Sequence, residues 1–201
     1  MSRTFYVLRH GETRFNAEQR LQGHCNSELT HRGQQQAQQV GQTLRQHLGN
    51  RPYQVFCSSL GRAVQTAEIV CEQIGYPRIA LHQDQRLMEF NLGQWEQRTI
   101  PGIMAEQPEL KQRSDWYLHA PDSEPYELVR SRLLQWLEEQ DQDAASDLVI
   151  ITHGLTGAVL RGILRDLSYA EVWQQDIPQD AFYRIRDGQA ERIDCLLPAP
   201  V

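Results

Sequence analysis

The chain has 201 residues, of which 40% are hydrophobic and 23% charged, and its formal net charge is −6. This length predicts one domain, spanning residues 1–201, that can bury a core without metal or disulfide staples. The negative charge argues against a nucleic-acid partner. Because no apolar run approaches about 20 residues and no leader-like segment opens the chain, we expect no membrane association and a cytoplasmic location.

The predicted strands and helices alternate along most of the chain. Six short apolar runs predict strands at Thr4–Leu8, Gln54–Ser58, Arg78–His82, Asp147–Thr152, Ala181–Arg186 and Glu191–Leu196. Amphipathic spacing predicts helices at Thr30–Leu48, Arg62–Ile74, Tyr126–Glu139 and Leu155–Leu164. The stretch "DGQ" predicts a hairpin between the last two strands. The expected fold class is therefore α/β, a three-layer sandwich with a mostly parallel central sheet flanked by helices.

One long segment fits neither pattern. Residues 91–124 carry Pro101, Pro108 and Pro121 and read as an irregular, lid-like insertion over one end of the sheet. Its aromatic residues could cover a substrate or could simply close the core. Four of its side chains raise that question: Trp95, Trp116, Tyr117 and His119.

The cysteines show no paired spacing. Cys25, Cys57, Cys71 and Cys195 are expected to be free thiols, and we expect neither a metal site nor a cofactor. No HxH or HExxH spacing occurs either, which makes a metal-hydrolase interpretation of the histidines weak. The sequence leaves the oligomeric state open, with a homodimer as one possibility.

Two predicted strands end in the same way. "YVLRHGET" places His10 and Gly11 after the first strand, and "VIITHGLT" places His153 and Gly154 after the fourth. In an open α/β sheet, ligands bind beyond the carboxyl ends of the strands. Glycine permits a sharp turn and a close backbone approach, and the helix after Gly154 would present free N–H groups. The repeated pattern indicates an anion site, although a single histidine at a strand end is more often structural.

Two arginines add positive charge to this edge. Arg9 precedes His10, and Arg62 lies in the first turn of a helix that follows the second strand. A cation is disfavoured at a helix N-terminus unless it serves another purpose, so Arg62 is either a solvated surface residue or part of the site. Both guanidinium groups could make two-pronged hydrogen bonds to phosphate oxygens.

The motifs "LRHGET", "RAVQTAE", "MEFNLGQWE" and "THG" occur in an order that resembles the histidine phosphatase superfamily. That superfamily contains cofactor-dependent phosphoglycerate mutases and many small-molecule phosphatases. The resemblance covers almost the whole chain. It implies that His10 is a nucleophile that forms a phosphohistidine, and that Arg9, Arg62 and His153 hold the phosphate oxygens. It also implies that no metal is needed.

The resemblance further implies roles for residues around these four. Glu89 would be the general acid and base, the alternative being a loop carboxylate paired with Arg86. The expected substrate-binding positions are Asn16, Gln22, Gly23 and Gly154, although Asn16 and Gln22 could equally stabilise their loop. Departures from the family pattern at Asn26 and Glu28, in an entrance loop, put substrate contacts in doubt, and Gln97 is a further departure after the acid.

Three functions stay open at this point. The first is a metal-independent phosphatase that hydrolyses a small phosphorylated metabolite through a phosphohistidine. The second is a phosphoglycerate mutase-type phosphotransferase. In the mutases of this family, a tyrosine lies three positions after the acid. Here that position is Leu92, and the insertion has few cations, which favours hydrolysis. The third is a non-catalytic phosphate-binding regulatory module, which the chemically competent residues disfavour.

Overall fold

The structure, a computed structural model, describes residues 2–141 and 145–195. Within these ranges one sheet is formed by β1 (Phe5–Arg9), β2 (Tyr53–Ser58), β3 (His82–Asp84), β4 (Asp147–Thr152), β5 (Ala181–Arg186) and β6 (Gln189–Asp194). The spatial order is β3-β2-β4-β1-β5-β6. The first four of these are parallel neighbours, whereas β5 runs antiparallel to β1 and β6 antiparallel to β5.

Helices cover both faces of this sheet, as the sequence predicts. The α-helices are α1 (Arg14–Ala17), α2 (His31–His47), α3 (Gly61–Ile74), α4 (Ile100–Glu106), α5 (Tyr126–Asp141), α6 (Gly154–Leu164) and α7 (Tyr169–Val172). One core joins α2 and α3 to side chains such as Leu8 and Val149. The other joins α5, α6 and the 91–124 segment to Val7 and Ile150 on the opposite face. This confirms the α/β three-layer arrangement.

The central strand β4 shows why the strand ends meet. All six of its residues are buried, as expected for a parallel strand covered on both faces. It lies between β2 and β1, and Arg9 of β1 stands opposite Thr152 of β4 in the register. The residues that follow, His10 and His153, are therefore neighbours at one edge of the sheet.

Most predicted elements have the expected bounds. The glutamine-rich helix α2 buries Ala37, Val40 and Leu44 and exposes its glutamine face. The hairpin is present, because Asp187 and Gly188 both have positive φ angles between β5 and β6. The last predicted strand differs slightly: β6 begins at Gln189, and Leu196 lies outside the described residues.

The predicted strand Arg78–His82 is wrong. Residues Arg78–Ala80 form a 3-10 turn, and the strand β3 begins only at His82. A short apolar run suggested a strand, but the side chain of Ile79 is 97% exposed. With no core for that face to cover, the segment that follows Pro77 turns instead of extending.

The 91–124 segment is more ordered than its prolines suggest. It contains α4 and 3-10 turns at Gly93–Trp95, Pro108–Gln112 and Trp116–His119. Thr99 caps α4, and Pro101 occupies its first turn, where a missing N–H costs nothing. Trp95 is 1% exposed and belongs to the core. We call residues 91–124 the lid segment from here on.

Two further observations concern the described ranges as a whole. No helix in them is long and apolar enough to cross a membrane. The four cysteines, all of which lie within these ranges, are free thiols, as expected from their spacing.

Candidate active site

His10 follows β1 directly and is held at both ring nitrogens. Its Nδ1 lies 2.8 Å from the Gly11 carbonyl oxygen, which can only accept, so Nδ1 carries the proton. Its Nε2 accepts a hydrogen bond from Arg62 Nε at 3.2 Å. Burial, with the guanidinium groups of Arg62 and Arg9 nearby, holds the pKa of His10 well below 6.5. His10 is therefore a neutral imidazole whose lone pair is on Nε2, the form required of a nitrogen nucleophile.

His153 follows β4 and stands against His10, with 5.2 Å between the two ring centroids. Its Nε2 lies 2.7 Å from the Ser58 hydroxyl at the end of β2, and that hydroxyl also accepts the Leu60 N–H. Its Nδ1 is buried and has no hydrogen-bond partner among the described residues. Burial, together with Arg62 and His10, holds the pKa of His153 well below 6.5. An unpartnered ring nitrogen at this place is free to contact a ligand.

Arg9 and Arg62 bring two positive charges to the same place. Arg62 is 1% exposed, and its two terminal nitrogens donate to the carbonyl oxygens of Cys25 and Gly23 at 2.9 and 2.8 Å. Arg9 donates from Nη1 to the Ile177 carbonyl at 2.6 Å, while its Nε is buried without a partner. Burial lowers the pKa of Arg9, and that of Arg62 to about 10.

Neither guanidinium group has a carboxylate within salt-bridge distance in the parts of the chain that are described. Buried charges are normally paired, because leaving water costs several kcal/mol for an isolated ion. Two such cations beside two neutral imidazoles form a site that an anion would complete. This agrees with the anion site that the repeated strand endings indicate.

Glu89 lies at the N-terminus of α6 and accepts hydrogen bonds through both oxygens. The donors are the N–H groups of Leu155 and Thr156, at 3.1 and 2.9 Å, and the Thr156 hydroxyl at 3.0 Å. The expectation that the first N–H groups of this helix stay free for phosphate is therefore wrong. A carboxylate from the chain itself satisfies them, as expected at a positive helix end. Glu89 does not pair with Arg86, which binds Asp84 and Glu139 instead.

Arg132 of α5 holds the segment that carries Glu89. Its guanidinium donates to the carbonyl oxygens of Arg86, Met88 and Glu89, the last two at 2.7 and 3.3 Å. It also pairs with Glu124 at 3.2 Å, whose carboxylate accepts the Asn91 N–H. This one half-buried side chain therefore ties together the start and the end of the lid segment and fixes the backbone at Glu89.

These side chains surround a cavity of about 100 Å³. The predicted site residues that line it are Arg9, His10, Asn16, Gln22, Gly23, Arg62, Glu89 and Gly154. The ninth, His153, packs against the His10 ring and, together with Arg9 and Gly154, lines a small space that adjoins this cavity. The structure thus brings all nine predicted residues into one place, although they come from six separate parts of the chain.

The sequence model of the "Histidine phosphatase superfamily (branch 1)" matches residues 5–194. The chain belongs to the histidine phosphatase superfamily. Two relatives share the name "Probable phosphoglycerate mutase GpmB". The one from Erwinia tasmaniensis is 45% identical over 102 residues, which are 51% of this chain and less than half, 45%, of that relative. The one from Escherichia coli is 34% identical over 171 residues, covering 83% of this chain and 77% of the relative.

Solved structures agree with this assignment. The mycobacterial glucosyl-3-phosphoglycerate phosphatase Rv2419c, in complex with VO3, superposes with a TM-score of 0.75 at 28% identity. The match covers 91% of this chain and 90% of that one. The six-stranded sheet flanked by helices is therefore the fold of the superfamily.

Two of the predicted substrate-binding residues in the loop after His10 instead form hydrogen bonds within the protein. The side-chain oxygen of Asn16 accepts hydrogen bonds from the Thr13 N–H and the Gln179 amide, at 3.2 and 3.0 Å. The carbonyl of Gly23 holds Arg62. Gln22 differs, because its side-chain oxygen is buried with no partner among the described residues. Gln22 is therefore the residue of this loop best placed to contact a ligand.

Two residues at the site, Ser58 and Gln179, have no role in the sequence-based prediction, and a third, Tyr117, is one of the aromatic residues expected either to cover a substrate or to close the core. Ser58 holds His153, Gln179 donates to the His10 carbonyl at 3.2 Å, and Tyr117 of the lid segment lines the cavity. Burial raises the pKa of Tyr117, so its hydroxyl keeps its proton. Ser58 could have been found, since it ends a strand at the edge where His10 and His153 lie. Nothing in the sequence around Gln179 signals a place in the site.

Within the described residues, no three histidine, cysteine, aspartate or glutamate side chains are grouped so that they could hold a metal ion.

Proposed function

We propose that the protein is a metal-independent phosphatase that hydrolyses the phosphomonoester of a small metabolite through a phosphohistidine on His10. The observation that carries this proposal is the state of His10. Its proton is on Nδ1, its Nε2 lone pair meets Arg62, and a cavity with two guanidinium groups lies beside it. A neutral nucleophile next to fixed positive charge is the arrangement that phosphoryl transfer needs.

In the first step, His10 Nε2 attacks phosphorus and the bond to the alcohol oxygen breaks. Arg9, Arg62 and the unpartnered nitrogen of His153 would bind the phosphoryl oxygens and stabilise their charge as it spreads in the transition state. Glu89, the carboxyl group that lines the cavity, would give a proton to the departing alcohol oxygen. The products of the step are the free alcohol and phosphohistidine.

In the second step, water attacks the phosphoryl group. Glu89, now ionised, would take a proton from the water while the nitrogen–phosphorus bond breaks and His10 returns to its neutral form. Both steps draw their positive charge from arginine and histidine, so the reaction has no step that calls for Mg²⁺. Inorganic phosphate then leaves the cavity.

The hydrolysis of 4-nitrophenyl phosphate in the presence of a chelator tests the proposal. We expect turnover by the wild-type chain, loss of turnover in His10→Ala, and wild-type rates in His31→Ala, which removes an exposed imidazole at the start of α2. Rapid quenching should trap a phosphoryl adduct on His10 that is labile to acid and stable to alkali. Activity that depends on added metal would contradict the proposal, and phosphate binding without turnover would favour a regulatory module.

Glu89 is tested by the choice of leaving group. In Glu89→Gln, hydrolysis of alkyl phosphates should fall by roughly 10²–10⁴-fold, because their alkoxide needs a proton. Hydrolysis of 4-nitrophenyl phosphate should fall far less, because 4-nitrophenolate leaves unaided. The substitution also disturbs the end of α6, but such a structural defect would slow both substrates equally. Equal losses would therefore assign Glu89 a structural role only.

A mutase is the second candidate function, and the name of the two relatives is the observation that favours it. The solved neighbour named as a phosphatase favours hydrolysis. Phosphorylated enzyme, mixed with each phosphoglycerate, separates the two. A phosphatase releases inorganic phosphate at a rate that the added acceptor does not change, whereas a mutase transfers the label to the acceptor.

A further inference from the structure

A second and larger cavity adjoins the phosphate cavity. Its volume is about 560 Å³, and we call it the lid cavity. Lid-segment residues between 100 and 117 line one side, and residues of α6 and of the 172–177 segment line the other. Ile100, Tyr117, Leu155 and Ile177 line both cavities. Because the two spaces share these four side chains, a molecule whose phosphate is bound beside His10 can extend directly into the lid cavity.

The walls of the lid cavity are mostly apolar and aromatic. Trp116 and Trp173 face it from opposite sides, together with Met104 and Val172. Trp116 stacks on Tyr117, with 3.8 Å between the ring centroids, so these two rings form one broad surface. Walls of this kind bind the apolar body of a ligand, and cavities of 300–1,000 Å³ are typical of small-molecule sites. A three-carbon phosphate would leave most of this space to water.

Two residues of the lining, Trp173 and Gln175, each have a buried side-chain polar atom without a hydrogen-bond partner among the described residues. The side-chain nitrogen of Gln175 donates to the carbonyl oxygens of Ala158 and Val172, at 2.9 and 3.2 Å. Its side-chain oxygen is buried and accepts no hydrogen bond from the described residues. A buried acceptor left unpaired costs about 1–3 kcal/mol. A hydroxyl or amide group of a ligand would remove that cost.

The charged residues of the lining are all positive. Lys111 and Arg113 line the lid cavity, and no acidic side chain of the described residues does. Arg113 is occupied by Asp115, with Nε 3.1 Å from its carboxylate. Lys111 makes no salt bridge with any residue that the structure describes. An anionic group at the far end of a ligand would therefore meet a free ammonium group.

We propose that the lid cavity binds the alcohol portion of the substrate, and that this substrate is a phosphomonoester of a bulky, ring-containing alcohol. The alcohol carries a hydroxyl or amide donor for Gln175 and a second anionic group that reaches Lys111. This inference rests on the proposed function, since it assumes that a phosphomonoester binds beside His10. It separates the substrate from three-carbon phosphates such as the phosphoglycerates, which are too small to fill the lid cavity as well.

Three probes of increasing size test the inference: phenyl phosphate, 2-naphthyl phosphate and 6-carboxy-2-naphthyl phosphate. Their leaving groups are similar, so differences in kcat/KM report binding. We expect kcat/KM to rise about tenfold with the second ring, because apolar surface is buried, and severalfold more with the carboxylate. Both gains should appear in KM. Equal kcat/KM values for the three probes would overturn the inference.

Variants assign each gain to its wall. Ser114 is exposed and lines the lid cavity, so Ser114→Trp should fill it and remove the naphthyl preference. Lys111→Gln should remove only the gain from the carboxylate. Arg45→Gln is the control, because it removes the same charge from the exposed side of α2 and should change nothing. A naphthyl preference that survives in Ser114→Trp would contradict the assignment.

Binding separates a failure of this inference from a failure of the proposed function. The His10→Ala variant cannot turn over the probes, so calorimetry gives their Kd values directly. If no probe is hydrolysed by the wild type, the proposed function fails, but a lower Kd for the naphthyl probes still supports the lid cavity. If phenyl phosphate is hydrolysed while all Kd values are equal, the proposed function stands and the lid cavity proposal is overturned.

Discussion

Arg62 donates a hydrogen bond from Nε to the Nε2 of His10, the nitrogen that we propose attacks phosphorus. The same guanidinium is anchored by the carbonyl oxygens of Gly23 and Cys25, so its position does not depend on a bound ligand. One arginine thus does two things before substrate arrives. It adds to the effect of burial in lowering the pKa of His10, and it supplies positive charge beside the place where the phosphoryl group must lie.

The pH dependence of activity should reveal this contact. Because the pKa of His10 is held well below 6.5, the loss of kcat/KM in acid should occur below pH 6.5. Arg62→Gln removes a charge that lowers the pKa, so that limb should move to higher pH. Arg62→Lys retains the charge and should keep the limb near its wild-type position. Both variants should lose roughly 10²–10³-fold in kcat, as a lost oxyanion contact does.

The substrate itself also titrates near pH 6, but it does so equally in both variants, which leaves the difference between them interpretable. Nuclear magnetic resonance titration of the His10 ring protons measures its pKa directly. An unchanged acid limb and an unchanged His10 pKa in Arg62→Gln would show that Arg62 does not control the nucleophile.

Protein stability should fall in acid for the same reason. The pKa values of His10 and His153 are well below 6.5 in the folded protein, whereas unfolded histidine titrates at about 6.5. Below that pH the unfolded chain binds protons that the folded chain does not, so the free energy of unfolding decreases as the pH falls. Each histidine contributes a slope of up to about 1.4 kcal/mol per pH unit, and neither contributes above pH 6.5.

Urea unfolding of the wild type between pH 7.5 and 5 measures that slope. In His153→Gln one of the two contributions is absent, so the decrease in stability should be shallower. His31→Gln, at an exposed position, should retain the full slope. A slope in His153→Gln as steep as in the wild type would mean that His153 is protonated in the folded protein.

The sequence predicted the anion site because it depends on where strands end. Once β1 and β4 are recognised as parallel neighbours, His10 and His153 must meet, and the register places Arg9 opposite Thr152. The role of Glu89 as a cap of α6 was not predictable in this way, because Glu89 is 66 residues from its partner Leu155 and lies in a loop without periodicity. The strand predicted at Arg78–His82 was wrong for the opposite reason. Its local pattern suited a strand, but none of the described elements covers the side chain of Ile79.

Arg132 should control the activity of Glu89 from a distance. Arg132→Lys keeps a charge beside Glu124 but cannot reach the carbonyl oxygens of Arg86, Met88 and Glu89 together. We expect a loss of about 1–3 kcal/mol of stability, less than for a fully buried pair, because both charged side chains keep some exposure to water. Hydrolysis of alkyl phosphates should fall by roughly tenfold to a hundredfold as Glu89 loses its position.

The control for this prediction is Arg130→Lys, an exposed arginine one half-turn earlier on α5, which should be neutral in both measurements. A purely structural role for Arg132 would lower stability and leave the ratio of alkyl phosphate to 4-nitrophenyl phosphate hydrolysis unchanged. That ratio therefore decides whether Arg132 positions the acid.

The two glycines of the repeated pattern should respond differently to the same substitution. A Cβ at Gly11 would lie 2.9 Å from the Gly33 carbonyl carbon and closer still to its oxygen, and backbone cannot move aside cheaply. Gly11→Ala should therefore lose several kcal/mol, as overpacking of a close backbone contact does, and should disturb His10.

A Cβ at Gly154 would meet only the end of Ile177 at 3.2 Å and Arg9 Nε at 3.5 Å. Gly154→Ala should keep its stability or gain up to about 1 kcal/mol, since alanine favours the helix. Its KM should rise, because the new methyl group lies against the Arg9 nitrogen that we expect to bind phosphate. Thermal unfolding and steady-state kinetics of the pair check both halves. Equal stability of the two variants would contradict the close approach at Gly11, and an unchanged KM in Gly154→Ala would remove Arg9 Nε from the phosphate contacts.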